Sequence, residues 1–458
     1  MSKTSLNDTI VAPATPPGVG AIALIRVSGK DAIEIVKSVF KGKDLSQQAS
    51  HTIHFGTIRD EANRVIDEVL VSIFREPRSF TKENLVEISC HGSPYIVEQI
   101  LQILLKNGAR MAEAGEFTKR AFLNGQFDLA QAEAVADLIA SDSQASHQIA
   151  INQMRGGFSK KIKELREELI RFAALVELEL DFAEEDVEFA NRNQLKSFLE
   201  KVLAYVKDLI ASFQLGNVLK NGIPTAIVGK PNAGKSTLLN ALLQEEKAIV
   251  SDIAGTTRDS IEDEIILEGI RFRFIDTAGL RETQDHIEAI GVERAKQKMQ
   301  EASLVLYVFD ALHTQEQEIR QIEEELKNLG KSYFLIFNKI DKLAENQLHF
   351  FQKQKNGICI AAKEQKGIDL LQTALLSAVK DKKIETGDIV INNLRHFEAL
   401  SLTKNALEKV LEDIDTQITT DLLAMDIHEA ISFLGSIVGE VTNEDLLDYI
   451  FSKFCIGK

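Results

Sequence analysis

GKPNAGKST, residues 229–237, is the stretch that decides the fold of the central part of this chain. It matches the phosphate-binding pattern G-x-x-x-x-G-K-[ST], with Gly229, Gly234, Lys235 and Ser236 at the four fixed positions. The glycines allow backbone N–H groups to turn towards a β-phosphate, because no Cβ stands in the way. The lysine ammonium can reach β- and γ-phosphate oxygens, and the serine hydroxyl can coordinate Mg²⁺. The stretch therefore predicts a P-loop.

The residues on both sides of this loop favour that interpretation over a glycine turn that matches by chance. Residues 225–228 form a short apolar run typical of a buried strand, and residues 236–243 have the apolar spacing of a helix. A strand, a glycine-rich loop and a helix in this order are the beginning of an α/β nucleotide-binding domain.

The composition of the 458-residue chain is that of an ordinary globular protein, with 44% hydrophobic and 27% charged residues. Its length predicts about three domains. No apolar run is long enough to cross a bilayer and the first residues lack a signal segment, so we predict a cytoplasmic protein with no membrane partner. The three cysteines form no CxxC pair, which argues against a disulfide framework or a zinc cluster. The net charge of −16 argues mildly against RNA contact but leaves room for a local basic face.

Changes in the hydrophobic pattern predict a multidomain protein. Residues 1–125 alternate between strand and helix patterns and predict a small α+β domain. Residues 126–218 and 382–458 contain no proline and have helical spacing, which predicts two parts of one all-α domain. The α/β P-loop domain, residues 219–381, is then an insertion, which a host domain tolerates where its own termini lie close together. The alternative is that each helical flank forms a bundle of its own.

The sequence NKID, residues 338–341, indicates guanine as the base. It follows the apolar run 333–337 and resembles the NKxD motif of the GTPase superfamily. Asn338 can bond the purine edge, and the Asp341 carboxylate can accept both N1–H and N2–H of guanine, whereas adenine offers no such pair of donors. AAK, residues 361–363, resembles the last guanine-contacting loop of these proteins, with Ala361 where serine is common.

Two further stretches predict a γ-phosphate sensor and therefore a Ras-like GTPase domain. DTAG, residues 276–279, resembles the DxxG element, in which Asp276 holds Mg²⁺ through water and the Gly279 N–H meets the γ-phosphate. GTTRD, residues 255–259, places Thr257 to ligate Mg²⁺ when GTP orders the switch. Four motifs in this order predict nucleoside triphosphate hydrolysis.

The residue after DTAG departs from Ras-like proteins, which have a glutamine that orients the attacking water. Leu280 at this position can neither donate nor accept a hydrogen bond. Among the acids nearby we favour Glu288, acting through a second water or in a switch ordered by dimerisation, with Glu282 as second choice. A solvated switch-region charge is the alternative for either.

A monovalent cation can supply the positive charge that an arginine finger would otherwise bring. Its ligands would be the Asn232 side-chain oxygen, the phosphates, and carbonyls of the loop 251–256, for which Ser251, Ile253 and Thr256 are the candidates. The alternative is that Asn232 only forms a turn.

The predicted GTP contacts are Asn232, Ala233, Gly234, Lys235, Ser236, Thr237, Ser251, Thr256, Thr257, Asp276, Thr277, Ala278, Gly279, Asn338, Lys339, Asp341, Ala361, Ala362 and Lys363. Within this set, Ser236 and Thr257 are the predicted Mg²⁺ ligands. The predicted catalytic groups are Lys235, Thr257 and Glu288.

The whole chain resembles the MnmE (TrmE) family of tRNA-modifying GTPases. The stretches that carry the resemblance, besides the P-loop, GTTRD and DTAGLRE, are DTIVA (8–12), PPG (16–18), GEFT (115–118), RAFLNG (120–125), DLAQAEA (128–134), NLRH (393–396) and FCIGK (454–458). The resemblance implies a homodimer formed through the N-terminal domain, with K⁺-stimulated GTP hydrolysis when two G domains meet. It also implies a hetero-oligomer with an FAD-containing MnmG-type partner, which adds an aminomethyl-type group, aminomethyl or carboxymethylaminomethyl, to C5 of the wobble uridine of certain tRNAs.

The family's N-terminal domain binds a tetrahydrofolate one-carbon carrier, in a 5-formyl or methylene form. The matching positions are Arg26, Glu87 and Lys458, while Gln126 stands where many relatives have a basic residue. From the residues alone, Arg26 and Glu87 could bind a pterin edge or a carboxylate, or could be surface charges. The resemblance also suggests a role for the Cys455 thiol near the carrier; a buried packing cysteine is the alternative.

A second function remains open from the sequence. A GTP-dependent switch that docks on an RNA or ribosome assembly, without covalent chemistry of its own, would share every nucleotide motif. The N-terminal domain and the FCIGK stretch are the features that such a switch would not need.

Overall fold

The computed structural model describes residues 8–181, 192–245, 263–275, 296–380, 390–416 and 420–457. The chain divides into two compact units. The first consists of Met1–Ala140, Ala150–Val206 and Glu398–Lys458, and the second of Ser141–Ile149 and Lys207–Phe397. None of the helices in the described part of the chain is long and apolar enough to cross a membrane.

The first unit contains a seven-stranded sheet near the N-terminus, in the order β3-β4-β5-β6-β2-β1-β7. Its strands are β1 (Ile10–Pro13), β2 (Ile22–Ser28), β3 (Phe40–Lys41), β4 (Thr52–Arg59), β5 (Val65–Phe74), β6 (Leu85–His91) and β7 (Arg110–Met111). All neighbours are antiparallel except β1 and β7. Alternate residues of β5 are buried, so one face of the sheet carries the core.

Two helices, α1 (Ala32–Val39) and α2 (Pro94–Lys106), contribute to the same core as this sheet. The apolar side chains of α1 recur at helical spacing and include Ile33, Val36 and Val39, all buried. Burying each such side chain stabilises the fold by about 1.5–3 kcal/mol. A third helix, α3 (Glu116–Leu123), follows β7. This N-terminal part of the first unit is therefore α+β, as predicted.

The remainder of the first unit is helical. Its helices are α4 (Leu129–Ala140), the end of α5 (Gln144–Met154), α6 (Gly157–Asp181), the first half of α7 (Arg192–Asn221), most of α12 (Leu394–Thr416), α13 (Thr420–Val438) and α14 (Glu444–Phe451). Helix α6 packs along α13. Helices α4 and α14 share an apolar cluster that includes Leu129, Leu447 and Phe451. This is the predicted all-α domain.

The second unit is built on a six-stranded sheet in the order β13-β12-β11-β8-β10-β9. The strands are β8 (Ile223–Val228), β9 (Asp263–Leu267), β10 (Ile270–Phe274), β11 (Leu304–Asp310), β12 (Ser332–Asn338) and β13 (Gly357–Cys359). All pairs are parallel except β9 with β10. The helices are α8 (Lys235–Glu245), α9 (Glu316–Asn328), α10 (Glu345–Gln352) and α11 (Ile368–Lys380). The predicted α/β P-loop domain is therefore present.

Both faces of this sheet are covered, because neighbouring residues of one strand enter different cores. Ile227 packs with Leu238 of α8. Ala226 and Val228 pack on the opposite side, with Phe337 of β12. A parallel sheet covered on both faces places its ligand site at the carboxyl ends of its strands. Strands β8, β11, β12 and β13 end at this edge, and the loops that follow them form the candidate site.

Candidate functional site

The phosphate-binding loop connects β8 to α8, and its two glycines occupy backbone conformations that other residues rarely adopt. Gly229 has φ 146° and Gly234 has φ 97°. A Cβ at Gly229 would lie 2.2 Å from the Val308 carbonyl oxygen, and one at Gly234 would lie 2.2 Å from Nδ2 of Asn338. The loop thus packs directly on the ends of β11 and β12, and only glycine fits at these two positions.

Lys235 lies at the first position of α8 with its ammonium folded back over the loop. Nζ donates to the carbonyl oxygens of Gly229 and Lys230, each at 2.9 Å. Burial, and then the nearby charge of Lys298, lower the pKa of Lys235. Both causes disfavour the ammonium, so an anion bound against the loop would be stabilised by it and would raise this pKa again.

Helix α8 begins inside the loop, so the N–H groups of its first turn lack partners within the helix. Together with the helix dipole they favour an anion at this end. Ser236 is half-buried in this first turn, and Thr237 beside it is exposed. Asn232 is also exposed and has φ 62°.

Asn338 joins the three loops that follow β8, β12 and β13. Its side chain is 3% exposed. Nδ2 donates to the Ala233 carbonyl oxygen at 2.9 Å, and Oδ1 accepts from the N–H groups of Lys339 at 2.8 Å and Ala362 at 3.1 Å. The observed hydrogen bonds of this asparagine therefore hold the loops together. This role was not predicted from the sequence, which indicated a bond from Asn338 to the purine edge.

Lys339 has φ 69°, and its ammonium reaches back to the phosphate loop. Nζ donates to the Asn232 carbonyl oxygen at 2.8 Å and to Oδ2 of Asp310 at 2.7 Å. The sequence patterns did not indicate Asp310; the available signal was an acid at the end of an apolar strand.

Asp341 lies in the short 3₁₀ helix Ile340–Lys342, directly after this lysine. It is exposed, and within the described part of the chain its carboxylate has no hydrogen bond or ion pair. The next loop is adjacent, because the Ile340 N–H donates to the Ile360 carbonyl oxygen at 3.3 Å. Ala361 and Ala362 are buried there, and Lys363 is exposed. The carboxylate is free to accept donors from a base.

Several predicted site residues lie outside the described residues. These are Ser251, Ile253, Thr256, Thr257, Asp276, Thr277, Ala278, Gly279, Glu282, Glu288 and Lys458, and Leu280 lies outside them too. The structure therefore brings together the phosphate loop and the two guanine-side loops. Among the described residues, no group of three or more His, Cys, Asp or Glu side chains could hold a metal ion.

A second cluster of charged and aromatic side chains lies on the N-terminal sheet. Arg26 of β2 stands opposite Glu87 of β6 in the register. The guanidinium donates to Oε1 of Glu87 from Nη2 at 2.8 Å and from Nε at 3.0 Å. It also lies 5.3 Å from the ring centre of Phe80 and 5.7 Å from that of Phe117. The structure thus brings two of the predicted folate residues together.

The chain near residue 457 returns to this cluster. Nη1 of Arg26 donates to the Gly457 carbonyl oxygen at 3.4 Å, and Ile456 forms a β-bridge with Ala114. Gly457 has φ 94°, and a Cβ there would lie 2.1 Å from the Pro13 carbonyl oxygen. Cys455 is exposed, so the alternative of a buried packing cysteine is wrong.

Gln126, by contrast, is exposed beyond the end of α3. Its N–H donates to the Ala121 carbonyl oxygen at 2.8 Å. No described hydrogen bond joins it to Arg26 or Glu87.

The chain matches two family models and many full-length proteins. "MnmE helical domain" matches residues 129–455, and "GTP-binding protein TrmE N-terminus" matches residues 9–126. A protein of Cytophaga hutchinsonii named tRNA modification GTPase MnmE is 56% identical over 455 residues, which is 99% of each chain. A protein of Bacteroides thetaiotaomicron with the same name is 50% identical over 466 residues, 99% of this chain and all of that one. Among solved structures, the FeoB G-domain from Methanococcus jannaschii is 24% identical, covers 35% of this chain and 98% of that chain, and has a TM-score of 0.25.

Proposed function

The chain belongs to the MnmE family of tRNA modification GTPases, and it is a GTP hydrolase of tRNA modification; we propose that K⁺ and G-domain dimerisation stimulate its hydrolysis, and that it works with a flavoprotein and a tetrahydrofolate carrier. The product is an aminomethyl-type group, aminomethyl or carboxymethylaminomethyl, on C5 of the wobble uridine of certain tRNAs. In this proposal the N-terminal domain comprises residues 1–125, and the helical domain consists of residues 126–218 and 382–458. Residues 219–381 form the G domain, which is inserted between these two helical parts.

The observation that carries the nucleotide assignment is the joining of the phosphate loop to the guanine-side loops through one buried amide. Asn338 bonds Ala233 on one side and Ala362 on the other. A ligand with phosphates at one end and a base at the other spans such an arrangement. Lys235 and the first turn of α8 meet the phosphates, and Asp341 accepts the two donors of guanine.

The Mg²⁺ proposal fits the donors at the loop. Ser236 offers a hydroxyl on the first turn of α8, beside Lys235, and hydroxyl, phosphate and water oxygens are the ligands that Mg²⁺ prefers. Thr257 is the proposed second protein ligand. Bound Mg²⁺ would neutralise charge that develops on the phosphates. The chain's own part is to orient the phosphates through the loop N–H groups and Lys235.

The K⁺ proposal is supported by the exposure of Asn232. Its backbone carbonyl is held by Lys339, so its side-chain amide is separate from the contacts that fix the loop. An amide oxygen is a suitable ligand for a hard cation. Ser251, Ile253 and Thr256 would add oxygens from the loop that follows. A cation there supplies positive charge beside the phosphates.

Glu288 is the proposed group that orients the attacking water, because Leu280 cannot.

The folate proposal is supported by the cluster around Arg26. Glu87 receives both Arg26 hydrogen bonds on Oε1, so Oε2 can accept donors of a pterin edge. Phe80 and Phe117 offer flat apolar surfaces next to the charged pair. Lys458 and the exposed Cys455 thiol belong to the segment that meets Arg26, and Gln126 stays a peripheral candidate. The 5-formyl and methylene forms both fit this proposal.

The partners we propose are a second copy of the chain, bound through the N-terminal domain, an FAD-containing MnmG-type protein in a hetero-oligomer, and tRNA. We propose that the protein works in the cytoplasm.

Nucleoside analysis of tRNA from cells that lack the protein tests this function. We expect loss of the aminomethyl-type group from wobble uridines, and restoration by the unmodified gene. A Lys235→Ala gene is the matched control, because it removes the phosphate contact and is expected not to restore the modification. Unchanged wobble uridines would refute the proposal and favour the GTP-dependent RNA or ribosome assembly switch.

A further inference from the structure

Asp310 lies at the carboxyl end of β11, beside the nucleotide site, in a position that no sequence motif marks. Strands β11 and β12 are parallel neighbours with Asp310 opposite Asn338. Oδ1 of Asp310 accepts from the Leu312 N–H at 3.1 Å, and Oδ2 accepts from Nζ of Lys339 at 2.7 Å. Its own turn thus fixes one carboxylate oxygen, and the other is directed at the guanine-side loop.

The Lys339 ammonium that Asp310 holds is also the contact between two loops. It donates to the Asn232 carbonyl oxygen in the phosphate loop at 2.8 Å. Both Lys339 and Asn232 have left-handed backbones, with φ 69° and 62°. Such a conformation costs a residue other than glycine about 1–3 kcal/mol and persists only where the surroundings hold it. The ammonium therefore restrains Lys339 through its own side chain and Asn232 through the Asn232 carbonyl.

Asp310 carries a charge opposite to that of the ammonium it contacts. Burial acts to raise the pKa of Asp310, but hydrogen bonds from Lys339 and the Leu312 N–H hold it below its ordinary value. The carboxylate is therefore ionised at neutral pH. The side chains of Asp310 and Lys339 are 18% and 31% exposed, so water screens this pair less than a fully exposed one. Without the carboxylate, the ammonium would be better solvated away from the Asn232 carbonyl.

We propose that Asp310 is a positioning residue that holds the Lys339 ammonium on the Asn232 carbonyl and so fixes the phosphate loop and the guanine-side loop relative to each other. It does not touch the nucleotide. Asp310 thereby fixes the distance between the two loops before a nucleotide binds, so that binding has to order less of the two loops. This inference rests on the proposed binding of guanine nucleotides at the same loops.

A double-mutant cycle on GDP affinity tests it, with the full chain in sodium buffer so that no potassium-dependent step enters. Asp310→Asn keeps the shape of the side chain and removes its charge. We expect it to weaken GDP binding roughly fivefold to tenfold, less than the loss of a direct hydrogen bond to a charged group, because Asp310 acts on the nucleotide only through Lys339. In a Lys339→Ala background the same change is expected to weaken binding less than about twofold, because the group through which it acts is gone.

A matched control lies on the next helix. Glu318 of α9 pairs with Lys230 of the phosphate loop at 2.8 Å, but the Lys230 side chain is 67% exposed. Glu318→Gln is expected to change GDP affinity less than about twofold, as for an exposed ion pair. The inference is overturned if Asp310→Asn has the same effect in both backgrounds, or an effect below twofold in the unmodified one. Failure of the unmodified protein to bind GDP would refute the proposed function and this inference together.

Discussion

Arg26 and Glu87 stand opposite each other on β2 and β6, and the guanidinium gives two hydrogen bonds to a single carboxylate oxygen. The geometry is not the fork-to-fork pairing in which both carboxylate oxygens accept from the arginine. It leaves the second oxygen of Glu87 available on a half-buried surface beside two phenylalanine rings. In the proposed folate site, this second oxygen would accept donors of the carrier.

Arg26→Ala is expected to weaken tetrahydrofolate binding roughly tenfold to a hundredfold, the range for hydrogen bonds to charged groups. Isothermal titration of 5-formyl-tetrahydrofolate measures it. Arg64→Ala is the control, since Arg64 pairs with Asp60 in the same domain and its side chain is 82% exposed. Equal affinity in the Arg26 variant and the unmodified protein would remove this pair from the folate site.

Gly234→Ala is expected to reduce GDP affinity at least about tenfold, because the left-handed backbone is strained by any Cβ and this one would meet Nδ2 of Asn338. Gly330→Ala is the matched control: Gly330 also has a positive φ, of 64°, but a Cβ there meets nothing within 4 Å. Nucleotide titration of both variants compares a positive-φ glycine of the phosphate loop with one outside the nucleotide site. Similar losses in the two would show that the close packing on Asn338 is unimportant.

Asp341→Asn is expected to weaken GTP binding and to admit xanthine nucleotides, because an amide can donate where the carboxylate only accepted. The measurement is competition between GTP and XTP for the same protein. The exposed Asp369 at the start of α11 provides a control substitution, Asp369→Asn. A variant at Asp341 that keeps its preference for guanine would contradict the assignment of the base loop.

Asn232→Ala is expected to abolish the stimulation of GTP hydrolysis by K⁺ over Na⁺, since it removes the proposed side-chain ligand and leaves the carbonyl that Lys339 holds. Hydrolysis rates at matched ionic strength in the two salts test it, over a range of protein concentrations. Equal rates in both salts for the unmodified protein would refute the role of the cation. A rate independent of protein concentration would argue against activation by dimerisation.

Glu288→Ala is expected to lower kcat by about 100-fold or more while leaving nucleotide affinity nearly unchanged, as for a group that acts only on the attacking water. Single-turnover hydrolysis and GDP titration measure the two quantities. Glu282→Ala, the second choice from the sequence, is the parallel variant. If Glu288→Ala turns over normally, Glu288 has no part in hydrolysis.

The elements of the fold were predictable where the hydrophobic period is strong. The alternating residues 65–74 coincide with the strand Val65–Phe74, and the apolar stretch 21–27 coincides with the strand Ile22–Ser28. The phosphate loop was predictable because the loop needs glycines at positions where the backbone has a positive φ, and Gly234 has φ 97°. Local patterns of this kind need no knowledge of distant residues.

Pairings across the chain were not predictable, because no local pattern encodes them. Arg26 and Glu87 lie in different strands, and the register that places them opposite each other depends on the whole sheet. Asp310 is 29 residues from Lys339 in the chain, and only the parallel packing of β11 and β12 makes them neighbours. The docking of Gly457 on Arg26 is likewise a tertiary contact.

The contact between Arg26 and the Gly457 carbonyl spans 431 residues of chain. A ribosome adds roughly 5–20 residues per second, so about 20 to 90 s separate the synthesis of its two halves. For most of that interval the nascent chain already contains Arg26 and Glu87 but lacks the segment that contacts Arg26. A chain that stalls before residue 455 therefore lacks the carbonyl that Arg26 contacts, and the proposed folate site would stay incomplete.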